Sequence, residues 1–203
     1  MNVPTDTLAV ENRQALAQIR ARTRAAHAAL EAEPVFTRVA DPQAPLSALG
    51  DFLAVLHAGL QPLEPALCMP PDRLYRPRLA RLAADLQALG HPVPALQMRA
   101  WARPDADTRL GWLYVVEGSS LGATVLGRAW TGRCAAARRP LPAHFTDVPA
   151  GGHWAAVCAA VSACHDPEAV ACAAEAVFAH WVDTARACGS GHGRSGEAHF
   201  KAL

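Results

Sequence analysis

The chain has 203 residues and a formal charge of +1, enough for one domain with a complete hydrophobic core. Near-neutrality excludes a global attraction to nucleic acid or to an anionic membrane, so any basic site has to be local. Half of the residues are apolar and alanine dominates, while β-branched residues and tyrosine are scarce, which predicts an all-α fold.

Residues 1–10 are expected to be a loosely anchored lead-in, 11–188 a single helical domain, and 189–203 a tail. The first stretch has no basic segment followed by an apolar run, so no secretory leader is expected. A helix over 11–33, stopped by Pro34, carries the apolar line Leu16, Ile19, Thr23, His27, Leu30 at spacings of three and four. That line turns His27 inward with the leucines, and Arg20, Arg22 and Arg24 fan around its edges. A second helix follows the line Leu46, Leu49, Leu53, Leu56, Leu60 and is ended or kinked by Pro62 and Pro65. A third covers 77–89, closed by Gly90 and Pro92. Residues 94–103 are read as a short helix, with Trp101 in the core. Asp105 or Asp107 starts a long helix that ends near Gly132, and the Pro/Gly-rich residues 138–152 make a long connection. Residues 154–164 form another helix. Asp166-Pro167-Glu168 starts the last one, which buries Val170, Val177, Trp181 and Val182 and ends near Cys188.

The stretch 111–130, GWLYVVEGSSLGATVLGRAW, is the unusual one. It is apolar enough for a buried helix, yet it holds glycine at 118, 122 and 127, and each interior glycine costs about 1 kcal/mol relative to alanine. Gly118 and Gly122 share a face and open a strip without side chains. Such a strip accepts either a flat, bulky ligand or a closely packed second helix. No apolar run is long enough to span a bilayer.

Six cysteines (68, 134, 158, 164, 172 and 188) form no Cys-x-x-Cys pair and no zinc-like spacing with histidine. Cys158, Cys164 and Cys172 lie among alanines, where a thiol serves as a small buried hydrophobe; the expectation is reduced thiols in a cytoplasmic protein. Among nine histidines, His57 and His180 read as satisfied core residues, whereas His91, His165 and His192 fall in turns or tail. His27 differs, because Glu31 stands one turn later and can engage one ring nitrogen, leaving the other for a metal. A lone histidine without carboxylate companions suits a metal already held by other ligands, as haem iron is.

Arg20-x-x-Thr23-x-x-x-His27-x-x-x-Glu31, followed far downstream by Glu117-Gly-Ser-Ser-Leu-Gly122, resembles the haem oxygenases. The likeness is to the bacterial enzymes, including those that accompany bacterial phytochromes, and covers roughly the whole chain in arrangement. It implies a fold of seven to eight helices with haem between a proximal helix and a kinked distal one. His27 would ligate the iron, and Gly118, Ser119 and Gly122 would form the distal catalytic strip. By motif position Arg20 is the candidate at the propionates, and Tyr114 offers a hydroxyl. The implied activity is cleavage of haem, both cofactor and substrate, with O2 and an external reductant to biliverdin, carbon monoxide and ferrous iron. Implied partners are an electron donor and a bacterial phytochrome that receives the biliverdin, with neither nucleic acid nor membrane.

Two departures stand out. The animal-type pattern has an aspartate directly after the first distal glycine, where this chain has Ser119, as in one bacterial branch. Residues 154–164 also lack the basic residue that animal-type enzymes place against a propionate. Two other readings remain open: a non-catalytic haem carrier or sensor on the same fold, and a helical interaction module whose glycines seat a partner helix.

Overall fold

Proline, glycine and aspartate set most of the helix boundaries. The computed structural model describes residues 5–68, 74–95, 101–147 and 152–191, and these contain nine helices and no strand. Helix α1 (Thr5–Glu31) gives way at Pro34, which also opens α2 (Pro34–Ala40); proline is tolerated there because a first-turn N–H has no helical partner. Next come α3 (Leu46–Leu60), the single turn α4 (Glu64–Leu67) and α5 (Leu79–Leu89). Gly90 ends α5 at φ 71°, a left-handed conformation that glycine takes without a Cβ penalty. Helix α6 (Ala106–Ala136) starts at Asp105, whose carboxylate accepts the Thr108 N–H at 2.8 Å. A short α7 (Ala143–Thr146) and α8 (His153–Ser162) lead to α9 (Pro167–Gly191). Asp166 caps α9 by accepting the N–H groups of Glu168 and Ala169 at 3.0 and 3.1 Å.

The all-α expectation holds, with corrections. The described residues hold nine helices rather than seven or eight, because α2, α4 and α7 form in Pro-bounded segments that carry no helical periodicity of their own. Residues from Thr5 onward are helical instead of a lead-in, and α9 continues through Gly189 to Gly191; residues 192–203 of the expected tail lie outside the described residues. Of the expected short helix at 94–103, residues 96–100 also lie outside them and 101–105 are not helical. Helix α6 runs past Gly132 to Ala136 as one uninterrupted element, so its end lies one turn later than expected. All six cysteines are free. Of the three expected to be buried, Cys158 and Cys164 are half-buried and Cys172 is exposed, because the buried stripe of α9 runs through Val170, Ala174, Val177 and Trp181 instead.

Helix α9 organises the packing, with α6 and α1 both laid against it and α8 also touching each. Helices α1 and α6 scarcely touch one another. An Arg22 guanidinium on α1 bridges Glu168 (2.5 Å) and Glu175 (2.9 Å) of α9. The α6–α9 crossing is closest at Gly111, where an added Cβ would sit 2.4 Å from the Val170 carbonyl oxygen and 2.7 Å from Ala173 Cβ. No helix among the described residues is long and apolar enough to cross a membrane. Replacing Gly111 by alanine should lower stability by about 1–3 kcal/mol, despite alanine's better helix propensity, because backbone cannot yield as a flexible side chain can. Urea melts check this; an unchanged or higher midpoint would show that the crossing is looser than described.

Candidate functional site

The gap left between α1 and α6 is a cavity of about 1000 Å³, at the upper end of the roughly 300–1,000 Å³ usual for small-molecule sites. One wall is α1, with Arg20, Thr23, Arg24, His27, Leu30 and Glu31. The opposite wall is α6, where Tyr114, Gly118, Ser119 and Gly122 recur at helical spacing with Leu121, Ala123, Val125 and Leu126. Phe36, Phe52, Leu56, Phe178 and Trp181 form an apolar interior. Among the described residues Leu121 and Val125 are the large hydrophobic side chains left open, at 55% and 66% exposure, and both border this cavity. Contiguous exposed apolar surface of this kind marks a binding site more often than chance.

All the residues singled out from sequence border this one space: Arg20, His27, Glu31, Tyr114, Gly118, Ser119 and Gly122. Their surroundings differ from expectation at two points. His27 does not join the buried leucine line: Ile19, Thr23 and Leu30 are buried, whereas the His27 side chain is 56% exposed, because α1 faces the open cavity there rather than a helix. Its ring has two close neighbours. Nδ1 lies 3.3 Å from a Glu31 carboxylate oxygen, and the ring meets Phe178 edge-on with centroids 5.5 Å apart. With Nδ1 beside Glu31, Nε2 is the ring nitrogen away from that carboxylate. The second point is the bare strip. Gly122 has nothing within 4 Å of an added Cβ, but at Gly118 that Cβ would meet the Trp154 indole at 3.2 Å. Trp154 of α8, packed on Tyr114 with centroids 5.7 Å apart, thus covers one half of the strip and leaves the other open.

Behind Ser119 lies a buried charge network. Glu64 of α4 accepts the backbone N–H of Arg78 at 2.7 Å and that of Leu79 at 3.1 Å, and it receives the Tyr75 hydroxyl. This fixes the start of α5 and sends the Arg78 guanidinium into α6. There it donates to Glu117 (2.6 Å), the Val116 carbonyl (3.0 Å), Ser120 Oγ (3.0 Å) and Ser119 Oγ (3.4 Å). His153 of α8 adds a ring nitrogen 3.0 Å from the same Glu117 oxygen. The Ser119 hydroxyl donates to the Val116 carbonyl at 2.6 Å. A glutamate inside an apolar helix was the available sequence signal for this network, since a buried carboxylate has to be paired. Nothing local pointed to Arg78, which comes from a distant loop.

His144 of α7 is a further cavity residue without a sequence signal. Both oxygens of Asp85 hold its segment, accepting the Ala143 and His144 N–H groups at 2.7 and 2.8 Å. Burial raises the Asp85 carboxyl above the ordinary range, partly offset by those two bonds. The His144 imidazole is pushed down to about 3, chiefly by burial and further by Arg78 and Arg81, so it is neutral. On the rim, burial raises the Cys158 thiol while nearby Arg20 draws it back, which places Arg20 between the cavity and α8. Among the described residues no group of three or more His, Cys, Asp or Glu side chains forms a metal cage.

No protein-family model matches the sequence, and no curated protein matches it significantly.

Two outcomes test the site's electrostatics. Arg78→Met should cost about 3–5 kcal/mol by leaving the fully buried Glu117 carboxylate unpaired, and Arg78→Met with Glu117→Gln should recover part of that; a double-mutant cycle in urea reads the coupling. For His144 the folded-state value lies below that of the unfolded chain, so the unfolded chain takes up the proton first. Its contribution is intact above about pH 6.5 and erodes as pH falls towards 3, by at most about 1.4 kcal/mol per pH unit. His144→Phe should therefore flatten the stability slope between pH 6.5 and 5; a parallel slope in the variant would contradict the neutral, buried imidazole.

Proposed function

We propose that this chain is a haem oxygenase, binding haem between α1 and α6 and cleaving it with O2 and reducing equivalents to biliverdin, carbon monoxide and ferrous iron. The observation that carries the reading is the pairing across one cavity of an oriented histidine, His27, with helix backbone left open at Gly122. The remaining lining suits the same ligand. A flat macrocycle with an apolar body and two carboxylates needs aromatic and aliphatic walls, and cations at one edge. Phe178, Leu121 and Val125 are among the former, while Arg20 and Arg24 are the cations bordering the space. Haem supplies the iron that activates O2 and is itself the molecule cleaved.

The protein's part is placement. Glu31 lies beside Nδ1 of His27, Nε2 is the nitrogen that would ligate, and Phe178 meets the ring edge-on. Gly122 keeps the α6 side thin enough for a small ligand to lie beside the backbone. Arg78 locks Ser119 and Ser120, so that this part of α6 cannot twist when the cavity fills. Leu121 and Val125, covered by the macrocycle, would shed exposed apolar surface at about 25 cal/mol per Å². An electron donor, and a phytochrome as acceptor of the product, belong to the proposal as partners.

Adding hemin to the purified protein should produce a sharp Soret band, and His27→Ala should lose or greatly weaken it. Reductant and O2 should then bleach the band and raise biliverdin absorbance. Binding without bleaching would leave a haem carrier or sensor; no spectral change, with His27→Ala indistinguishable from wild type, would leave a helical interaction module.

A further inference from the structure

We propose that His144 is the hydrogen-bonding group which the α6 side of the cavity turns to the small ligand held there, water or dioxygen; this rests on the haem reading. The α6 side of the cavity is nearly all apolar or bare: Gly122, Ala123, Val125 and Leu126 offer no polar side chain. Ser119 and Tyr114 do, but Tyr114 stands one turn before Gly118 against Trp154, on the covered half of the strip and not at the open Gly122. The Ser119 hydroxyl proton goes to the Val116 carbonyl and its oxygen accepts from Arg78. A group already spent on its own helix is a poor partner for a ligand.

His144 is the opposite case. It borders the cavity, is only 6% exposed, and neither ring nitrogen has a hydrogen-bond partner among the described residues; Nδ1 is sealed from water, which leaves Nε2 as the nitrogen open to the space. A ring nitrogen that has no protein partner and can be reached from the space is available to hydrogen-bond a small ligand there. Its position is well defined, since Asp85 grips the backbone on both sides of the turn and the ring packs edge-on against Phe145, centroids 5.2 Å apart. Phe145 in turn lies where a Cβ on Gly127 would be, at 2.8 Å, seating α7 on α6. Burial and the charges of Arg78 and Arg81 keep the imidazole neutral, with one N–H to give and one lone pair to accept. A neutral donor of this kind steadies an oxygen or halide ligand without releasing its proton to it.

The experiment uses the full chain loaded with hemin, as wild type, His144→Phe and His144→Gln. Fluoride, which binds ferric haem and accepts hydrogen bonds, is the first probe; the C–O stretch of the ferrous carbon monoxide complex is the second. His144→Phe should raise the fluoride Kd roughly tenfold, the worth of one net hydrogen bond, and shift the stretch upward, while His144→Gln stays within about threefold of wild type. Should His144→Phe not fold by circular dichroism, His144→Asn replaces it: the shorter amide should lose the fluoride affinity that glutamine keeps. A folded, haem-loaded His144→Phe, or Asn in its place, with wild-type fluoride affinity and an unmoved stretch overturns the inference and leaves the haem reading standing. A wild type that gives no Soret band overturns both.

Discussion

The Glu117 carboxylate lies in the middle of the longest helix with no access to water, and the whole arrangement of the cavity follows from how it is held. Ionised and unpaired, it would be prohibitively costly there. Arg78 from the start of α5 and His153 from the start of α8 converge on one of its oxygens, so the rotation of α6 about its own axis is set from two directions. With Glu117 turned to that side, the residues beside it on the helix, Gly118, Ser119 and Gly122, border the space in front of α1. A buried ion pair is weak evidence for stability, since a hydrophobic pair of equal volume often does as well. Its value here lies in helping to specify one orientation of α6, together with the Trp130 indole, which donates to the Val39 carbonyl at 3.0 Å.

The cavity itself is a product of what α1 and α6 both pack against. Each is fastened to α9, one through the Arg22 clamp and one through the Gly111 crossing, and neither closes on the other. Large exposed residues at Leu121 and Val125 are unfavourable in an isolated monomer and become favourable once something flat covers them. His144 brings to the same space an imidazole whose ring makes no hydrogen bond among the described residues. Apolar walls and an imidazole without a protein partner thus border the same space, and a ligand with an apolar body and a small polar occupant beside it would engage both. Trp154 limits how far such a ligand extends towards the start of the strip, because its indole already covers Gly118.

Much of this was legible from the chain. Composition called for helices, Asp105 and Asp166 marked two starts, and Gly90 marked a stop, because caps and left-handed turns are local chemistry that neighbouring residues decide. The seven residues proposed for the site share one cavity, since each set came from a single helix face whose periodicity is fixed by backbone geometry. Helices α2, α4 and α7 were not legible, being too short to show a period and existing only through their packing. The exposure of His27 was misjudged for a related reason: periodicity says that a position faces the inside of the molecule, and cannot distinguish a packed interior from an empty one.

What the sequence determined by itself is therefore the helical class, most of the long helices and the two faces that carry the candidate chemistry. Only the tertiary structure decided that those faces oppose each other across open space, that Trp154 covers one glycine and not the other, and that Arg78, His153 and His144 belong beside them. The physical reason is range. Caps, turns and helix faces are settled within a few residues, whereas the meeting of Arg78 with Glu117, or of His144 with the cavity, depends on how whole helices come to rest on α9.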